Sequence, residues 1–81
     1  MILDDDEPFR NRLARAMEKK GFQVTEAKSV EEGLRIASKT PTNFAVVDLR
    51  LEDGNGLEVI KFLHKSRKES RIVMLTGYGN L

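Results

Sequence analysis

The chain has 81 residues, with 14 Lys plus Arg against 13 Asp plus Glu, one His, no Cys and no Trp. That length bounds it to a single domain, and 40% hydrophobic with 33% charged residues makes it globular rather than disordered. The absence of Cys excludes disulfides, thiolate zinc sites and Cys nucleophiles together, and fits a reducing compartment, so the cytoplasm is the expected location. No run approaches the roughly 18 apolar residues of a membrane span, and no signal peptide is read ahead of the first acidic cluster. The net charge of +1 is spread evenly: residues 1–40 carry 8 basic and 8 acidic groups, and residues 41–81 carry 6 and 5. Nucleic-acid-binding surfaces show a basic excess or stripe, so direct nucleic-acid contact by this segment is not expected, and neither is a membrane partner.

Met1-Ile2-Leu3 is a short apolar run that stops at three aspartates. From Pro8 to Lys20, the residues Phe9, Leu13, Ala16 and Met17 recur at helical spacing, with Arg10, Arg12, Arg15 and Lys19 on the other side. Pro8 suits the first turn of that helix, and Gly21 its end. Phe22 to Thr25 reads as a short strand. Ser29-Val30-Glu31-Glu32 is a capping-box pattern opening a second helix, striped by Val30, Leu34 and Ala37 and broken at Pro41. Phe44-Ala45-Val46-Val47 is apolar on both faces, as a central parallel strand requires, and it ends in Asp48. Glu52 to Gly56 reads as a turn, with Asn55 as N-cap of a third helix carrying Leu57, Val59, Ile60, Phe62 and Leu63. Arg71 to Leu75 is read as a further buried strand, closing with Thr76-Gly77. Met17 and Met74 are read as core filler. His64, among Lys61, Lys65 and Arg67, is read as a solvated surface residue, with no ligand partner at metal-binding spacing. Gly77-Tyr78-Gly79 lacks the following helix and lysine of a phosphate-cradling loop. The alternation β-α-β-α-β-α-β predicts an α/β fold with an open parallel sheet and right-handed crossovers.

The chemistry-bearing feature is where the carboxylates fall. Asp4, Asp5 and Asp6 follow the first strand, and Asp48 closes the third. Open α/β sheets bind ligands beyond the carboxyl ends of their strands, where the strand order reverses. If the first and third strands are neighbours, Asp4, Asp5 and Asp48 converge on one small pocket. Carboxylates that close repel one another. A hard divalent cation relieves this, and Mg²⁺ suits a site of few carboxylates completed by water and a phosphate. Asp6 is also placed to cap the first helix, but capping does not account for an Asp48 that follows a buried strand.

Leu3-Asp4-Asp5-Asp6-Glu7-Pro8, then Val46-Val47-Asp48-Leu49-Arg50-Leu51 with Gly54 and Gly56-Leu57-Glu58, then Ile72-Val73-Met74-Leu75-Thr76-Gly77, together resemble the receiver domain of a two-component response regulator. The resemblance covers the whole chain, in order. Asp48-Leu49-Arg50-Leu51 with Leu75-Thr76-Gly77-Tyr78-Gly79-Asn80 is most similar to the redox-responsive photosynthesis and respiration regulators of proteobacteria. The family implies a flavodoxin-like sheet of strand order 2-1-3-4. It implies that Asp48 is the phosphoacceptor, taking a phosphoryl group from a sensor histidine kinase, and that the domain assists its own phosphorylation without being a turnover enzyme. It further implies Mg²⁺ held by Asp4, Asp5, Asp48 and the Arg50 backbone carbonyl, with a phosphate contact from the Thr76 hydroxyl.

Against that pattern, no lysine follows Arg71, and the family's fifth strand, its aromatic switch residue and its last two helices have no counterpart. Tyr78 stands too soon after Thr76 to be that aromatic. Residues 1–81 are therefore expected to be a single receiver domain truncated at its C-terminal side, impaired in phosphoryl transfer and paired as a homodimer through the fourth-strand edge or by element exchange. Two other readings stand beside this one. A chemically silent receiver remnant would act by dimerisation or kinase binding, and Asp48 would take no phosphate mass. A haloacid-dehalogenase-type phosphatase fragment would use Asp4-Asp5-Asp6 as an Asp-x-Asp nucleophile, but that family places Thr or Val where Pro8 stands.

Overall fold

The computed structural model describes residues 1–75, and the Thr76 and Gly77-Tyr78-Gly79 readings lie outside them. Nine elements follow one another: β1 (Ile2–Leu3), α1 (Glu7–Lys19), β2 (Glu26–Ala27), α2 (Val30–Lys39), β3 (Phe44–Asp48), β4 (Arg50–Leu51), β5 (Gly54–Asn55), α3 (Leu57–Ser66) and β6 (Arg71–Leu75). Four strands form one parallel sheet in the order β2-β1-β3-β6. This is the flavodoxin-like receiver topology, with the strand that the sequence made fourth now numbered β6. Among the described residues, no helix is long and apolar enough to cross a membrane.

Side chains of a strand alternate between faces, and the core divides accordingly. Leu3, Ala45 and Val47 point to the α2 and α3 side, where they join Ala27, Val30, Ala37, Leu51, Val59 and Leu63 in one cluster. Ile2 and Val46 point to the α1 side and meet Ala14, with Leu13, Met17 and Phe44 packed around them. α2 can lie close to the sheet because Gly33 has no side chain. A Cβ there would come within 3.2 Å of both a Leu3 and a Val59 methyl carbon. That packing justifies a glycine inside a helix, which costs about 1 kcal/mol relative to alanine.

Several sequence expectations move. The second strand lies at Glu26–Ala27 rather than Phe22 to Thr25. Phe22 is 42% exposed and meets the Phe44 ring edge-on, with centroids 5.7 Å apart, so its apolarity covers the end of the sheet instead of filling a strand. On α1, Ala16 faces solvent and Ala14 is the buried residue, because the packed face runs through Leu13, Ala14 and Met17. β6 is not buried: Val73 is 46% and Met74 54% exposed, so Met74 is not core filler. Among the described residues, β6 pairs with β3 alone. β1 and β3 are buried because α1 on one face and α2 with α3 on the other enclose them.

The turn predicted at Glu52 to Gly56 is part of a small antiparallel hairpin. Arg50 pairs with Asn55 and Leu51 with Gly54, leaving Glu52-Asp53 as the two-residue tip. Gly54 takes φ +153°, a conformation that L side chains rarely adopt. The N-cap of α3 is Gly56, which has no side chain to cap with, rather than the predicted Asn55; Asn55 stands one residue earlier, its Oδ1 accepting the Leu57 amide at 2.8 Å. The Ser29 box closes with a shift. Ser29 Oγ accepts the Glu32 amide, but the Glu32 carboxylate accepts the Lys28 amide rather than that of Ser29. His64 is exposed, as read.

Candidate functional site

β1 and β3 are adjacent and parallel, with Leu3 level with Val47. The next residue on each is an aspartate, so Asp4 and Asp48 emerge side by side at the carboxyl rim of the sheet. Both are buried, at 5% and 6% exposure, whereas Asp5 is exposed. One carboxylate oxygen from each of Asp4, Asp5 and Asp48 lies within 4.8 Å of the others.

Backbone amides hold the two buried carboxylates in place. Asp4 Oδ1 accepts the Asp6 N–H at 2.9 Å, and Asp48 Oδ1 accepts the Arg50 N–H at 3.1 Å. Asp6 is turned away from the cluster and caps α1, its Oδ1 accepting the Phe9 amide at 3.1 Å. The three consecutive aspartates thus divide into two cluster members and one cap. Burial pushes the Asp4 carboxyl above its ordinary value, the negative charges of Asp48, Asp5 and Asp6 push the same way, and the Asp6 amide opposes them.

Sequence reasoning missed three residues around this cluster. Arg10, assigned by periodicity to the outer face of α1, instead lies against the sheet. It donates from Nη1 to the Asp4 carbonyl at 2.9 Å and from Nε to Glu26 at 2.8 Å, tying α1 to the ends of β1 and β2. Gly56 sits directly behind Asp48. A Cβ on it would overlap the Asp48 carbonyl oxygen and come within 2.7 Å of a Val47 methyl carbon. Its amide donates to the Leu49 carbonyl at 3.0 Å, closing the turn that leads into α3. Asp53, at the hairpin tip, reaches α2: its two carboxylate oxygens accept the Val30 and Glu31 amides at 2.9 and 3.1 Å. Those two amides hold its carboxyl below the ordinary range. A reader of the sequence had one available signal, the Asp53-Gly54 pair marking a tight turn. Its long-range partner is invisible in a linear pattern.

The cluster offers only hard oxygen donors around a small volume at the mouth of a parallel sheet. That donor set fits Mg²⁺, which takes one or two carboxylates and completes its octahedron with water or phosphate. It is poorly suited to metals that favour thiolate or imidazole.

A family profile described as the response regulator receiver domain matches residues 1–81. Among curated proteins, the photosynthetic apparatus regulatory protein RegA of Cereibacter sphaeroides is 60% identical over 79 residues, 98% of this chain and 43% of that protein. The acid tolerance regulatory protein ActR of Rhizobium meliloti is 52% identical over 81 residues, 100% of this chain and 42% of that protein. The chain therefore spans about two-fifths of the length of these relatives. Among solved structures, a response regulator from Burkholderia pseudomallei, containing a phosphorylated aspartic acid, a calcium ion and citrate, superposes with a TM-score of 0.88 at 36% identity, over 99% of this chain and 47% of that one. The parallel β2-β1-β3-β6 sheet, the acidic rim and a profile match along its whole length agree: this chain belongs to the response regulator receiver domain family.

Proposed function

We propose that this chain is a phosphoacceptor of two-component signalling in which Asp48 receives the phosphoryl group, with Mg²⁺ held by Asp4, Asp5, Asp48 and the backbone carbonyl of Arg50. The observation that carries the reading is the convergence of Asp4, Asp5 and Asp48 within 4.8 Å at the ends of two adjacent strands. An Asp48 carboxylate oxygen attacks phosphorus. The bond from phosphorus to the donor breaks, its electron pair leaves with the donor, and Asp48 becomes an acyl phosphate. When bound, the cation supplies charge neutralisation for the transferring oxygens. The Arg50 amide orients the nucleophile by holding Asp48 Oδ1, and Asp4 and Asp5 bring the negative charge that attracts the cation. Thr76 follows β6 directly, and its hydroxyl is assigned to a phosphate oxygen. The donor in the cell is a sensor histidine kinase of the cytoplasm, the usual source of phosphate for this family.

Incubation with acetyl phosphate and Mg²⁺, read by intact mass, tests this directly. One phosphoryl mass is expected on the wild type and none on Asp48→Asn. A label that survives that substitution overturns the assignment.

The exposed Val73 and Met74, on a strand that among the described residues is paired on one side, support a second element of the proposal. An open apolar edge recruits another strand, so the 81-residue chain associates as a homodimer through β6, directly or by element exchange. Sedimentation across a dilution series checks it, and a compact monomer at high micromolar concentration rules it out.

A further inference from the structure

The first turn of α2 is satisfied in an unusual way. Of its leading amides, Glu32 N–H goes to Ser29 Oγ, the local cap that the sequence predicts. The Val30 and Glu31 amides go instead to the two oxygens of Asp53, which lies on the hairpin that follows Asp48. A carboxylate suits that position twice over: it accepts both hydrogen bonds, and its charge faces the positive end of the helix dipole. The hairpin is thus held at two points. Leu51 is buried among the core residues under α2 and α3, and the tip is clamped by Asp53. The tip is also close enough to α2 that a Cβ on Gly54 would stand 3.5 Å from a Val30 methyl carbon. At the opposite end of the same hairpin stands Arg50, paired with Asn55, and its amide fixes Asp48 Oδ1.

We propose that Asp53 is a positioning residue for the acidic site: by clamping the hairpin tip to the α2 N-terminus it holds the Arg50 backbone where its amide orients Asp48 and where its carbonyl would help hold a cation. This rests on the role given to Asp48 and Arg50 above. Asp53 touches neither phosphate nor metal. Its effect reaches them through four residues of hairpin backbone whose register leaves little slack. Outer partners that orient metal ligands affect affinity by about 10–100-fold. Burial of Leu51 keeps part of the hairpin in place without Asp53, so the lower end of that range, about tenfold, is expected.

The test compares Asp53→Ala, Asp53→Asn and Ser29→Ala in the 81-residue chain. Ser29→Ala removes the other α2 cap without touching the hairpin. Three quantities are read: hydrogen exchange of the Arg50 amide, Mn²⁺ affinity by NMR relaxation, and the urea midpoint. Asp53→Ala should expose the Arg50 amide to exchange and weaken Mn²⁺ by about tenfold. Asp53→Asn, which keeps one acceptor oxygen, should fall between. Ser29→Ala should lower the urea midpoint while leaving the Arg50 amide and Mn²⁺ affinity at wild-type values. If Asp53→Ala or Asp53→Asn shifts only α2 amides, or if Ser29→Ala weakens Mn²⁺ equally, the positioning role is overturned. The Arg50 amide judges the clamp even if the wild type binds no Mn²⁺ at Asp4, Asp5 and Asp48, an outcome that would instead remove the proposed metal site.

Discussion

Asp4 and Asp48 are neighbours only in the folded chain, so removing one charge should stabilise the metal-free protein. Their carboxylate oxygens lie within 4.8 Å. At that separation two unit charges repel by about 3.5 kcal/mol at an effective dielectric of 20 and about 0.9 kcal/mol in bulk water. Asp5 sits beside Asp4 in the unfolded chain too, so part of that repulsion cancels, whereas the Asp4–Asp48 term is created by folding. Asparagine keeps the Oδ1 acceptors for the Asp6 and Arg50 amides, isolating the charge. In EDTA at low salt and pH 7.5, Asp4→Asn and Asp48→Asn should each raise unfolding free energy in urea. Because both single variants remove the same mutual repulsion, the double variant should gain less than the sum, by about 1–3 kcal/mol. The pH dependence has a definite sign. The folded state raises the Asp4 carboxyl above its ordinary value of 3.8, so folded protein holds that proton more tightly. The associated stability is present below 3.8 and is lost as pH rises through the raised folded value, and Asp4→Asn should lack this component. A less stable Asp4→Asn in EDTA, or additivity within about 0.3 kcal/mol, would refute the electrostatic account.

Saturation with Mg²⁺ at about 100 times its Kd should add about 2.7 kcal/mol to wild-type stability, and the gain should vanish in the Asp4→Asn/Asp48→Asn double variant, as measured by paired urea titrations with and without EDTA. Gly56→Ala places a methyl against the Asp48 carbonyl, so a loss of about 1–3 kcal/mol is expected, with amide shifts centred on residues 48–50. An unperturbed spectrum would mean the close approach is relieved elsewhere. Leu63→Ala empties a site that is 2% exposed and should cost about 2–5 kcal/mol. Leu57→Ala, at a position 40% exposed, should change unfolding free energy by less than about 0.5 kcal/mol.

The fold was legible wherever burial dictated the pattern. The continuous apolarity of Phe44 to Val47 belongs to a strand paired on both sides and enclosed on both faces, and it was read correctly. Legibility failed where apolar residues serve an end or an edge. Phe22 looked like strand filler and covers the sheet end against Phe44. Val73 and Met74 carry the same residue types as a buried strand yet face outward. Composition reports which side chains prefer to be covered, and it is silent on whether the described elements suffice to cover them. The α1 phase failed for a related reason: with Ala14 and Ala16 both small, a stripe through either looked equally apolar, and only packing onto Ile2 and Val46 selects Ala14.

The acidic site needed less information than the core. Knowing that Asp4 and Asp48 each follow a strand, and that those strands are parallel neighbours, is sufficient to put both on one rim. Arg10, Asp53 and Gly56 were beyond reach because each acts across elements, on the Asp4 carbonyl, the α2 amides and the Asp48 carbonyl respectively. The same geometry explains how repelling carboxylates stay together. Directly behind Asp4 and Asp48 in register are Leu3 and Val47, each 0% exposed. Burying a side chain of either type is worth about 1.5–3 kcal/mol, so the two together outweigh the roughly 1–3 kcal/mol of repulsion between their neighbours. The residue that carries the charge and the residue that opposes its cost are adjacent in sequence on both strands. A hydrophobic truncation at Leu3 or Val47 therefore ought to loosen the acidic pocket as well as the core.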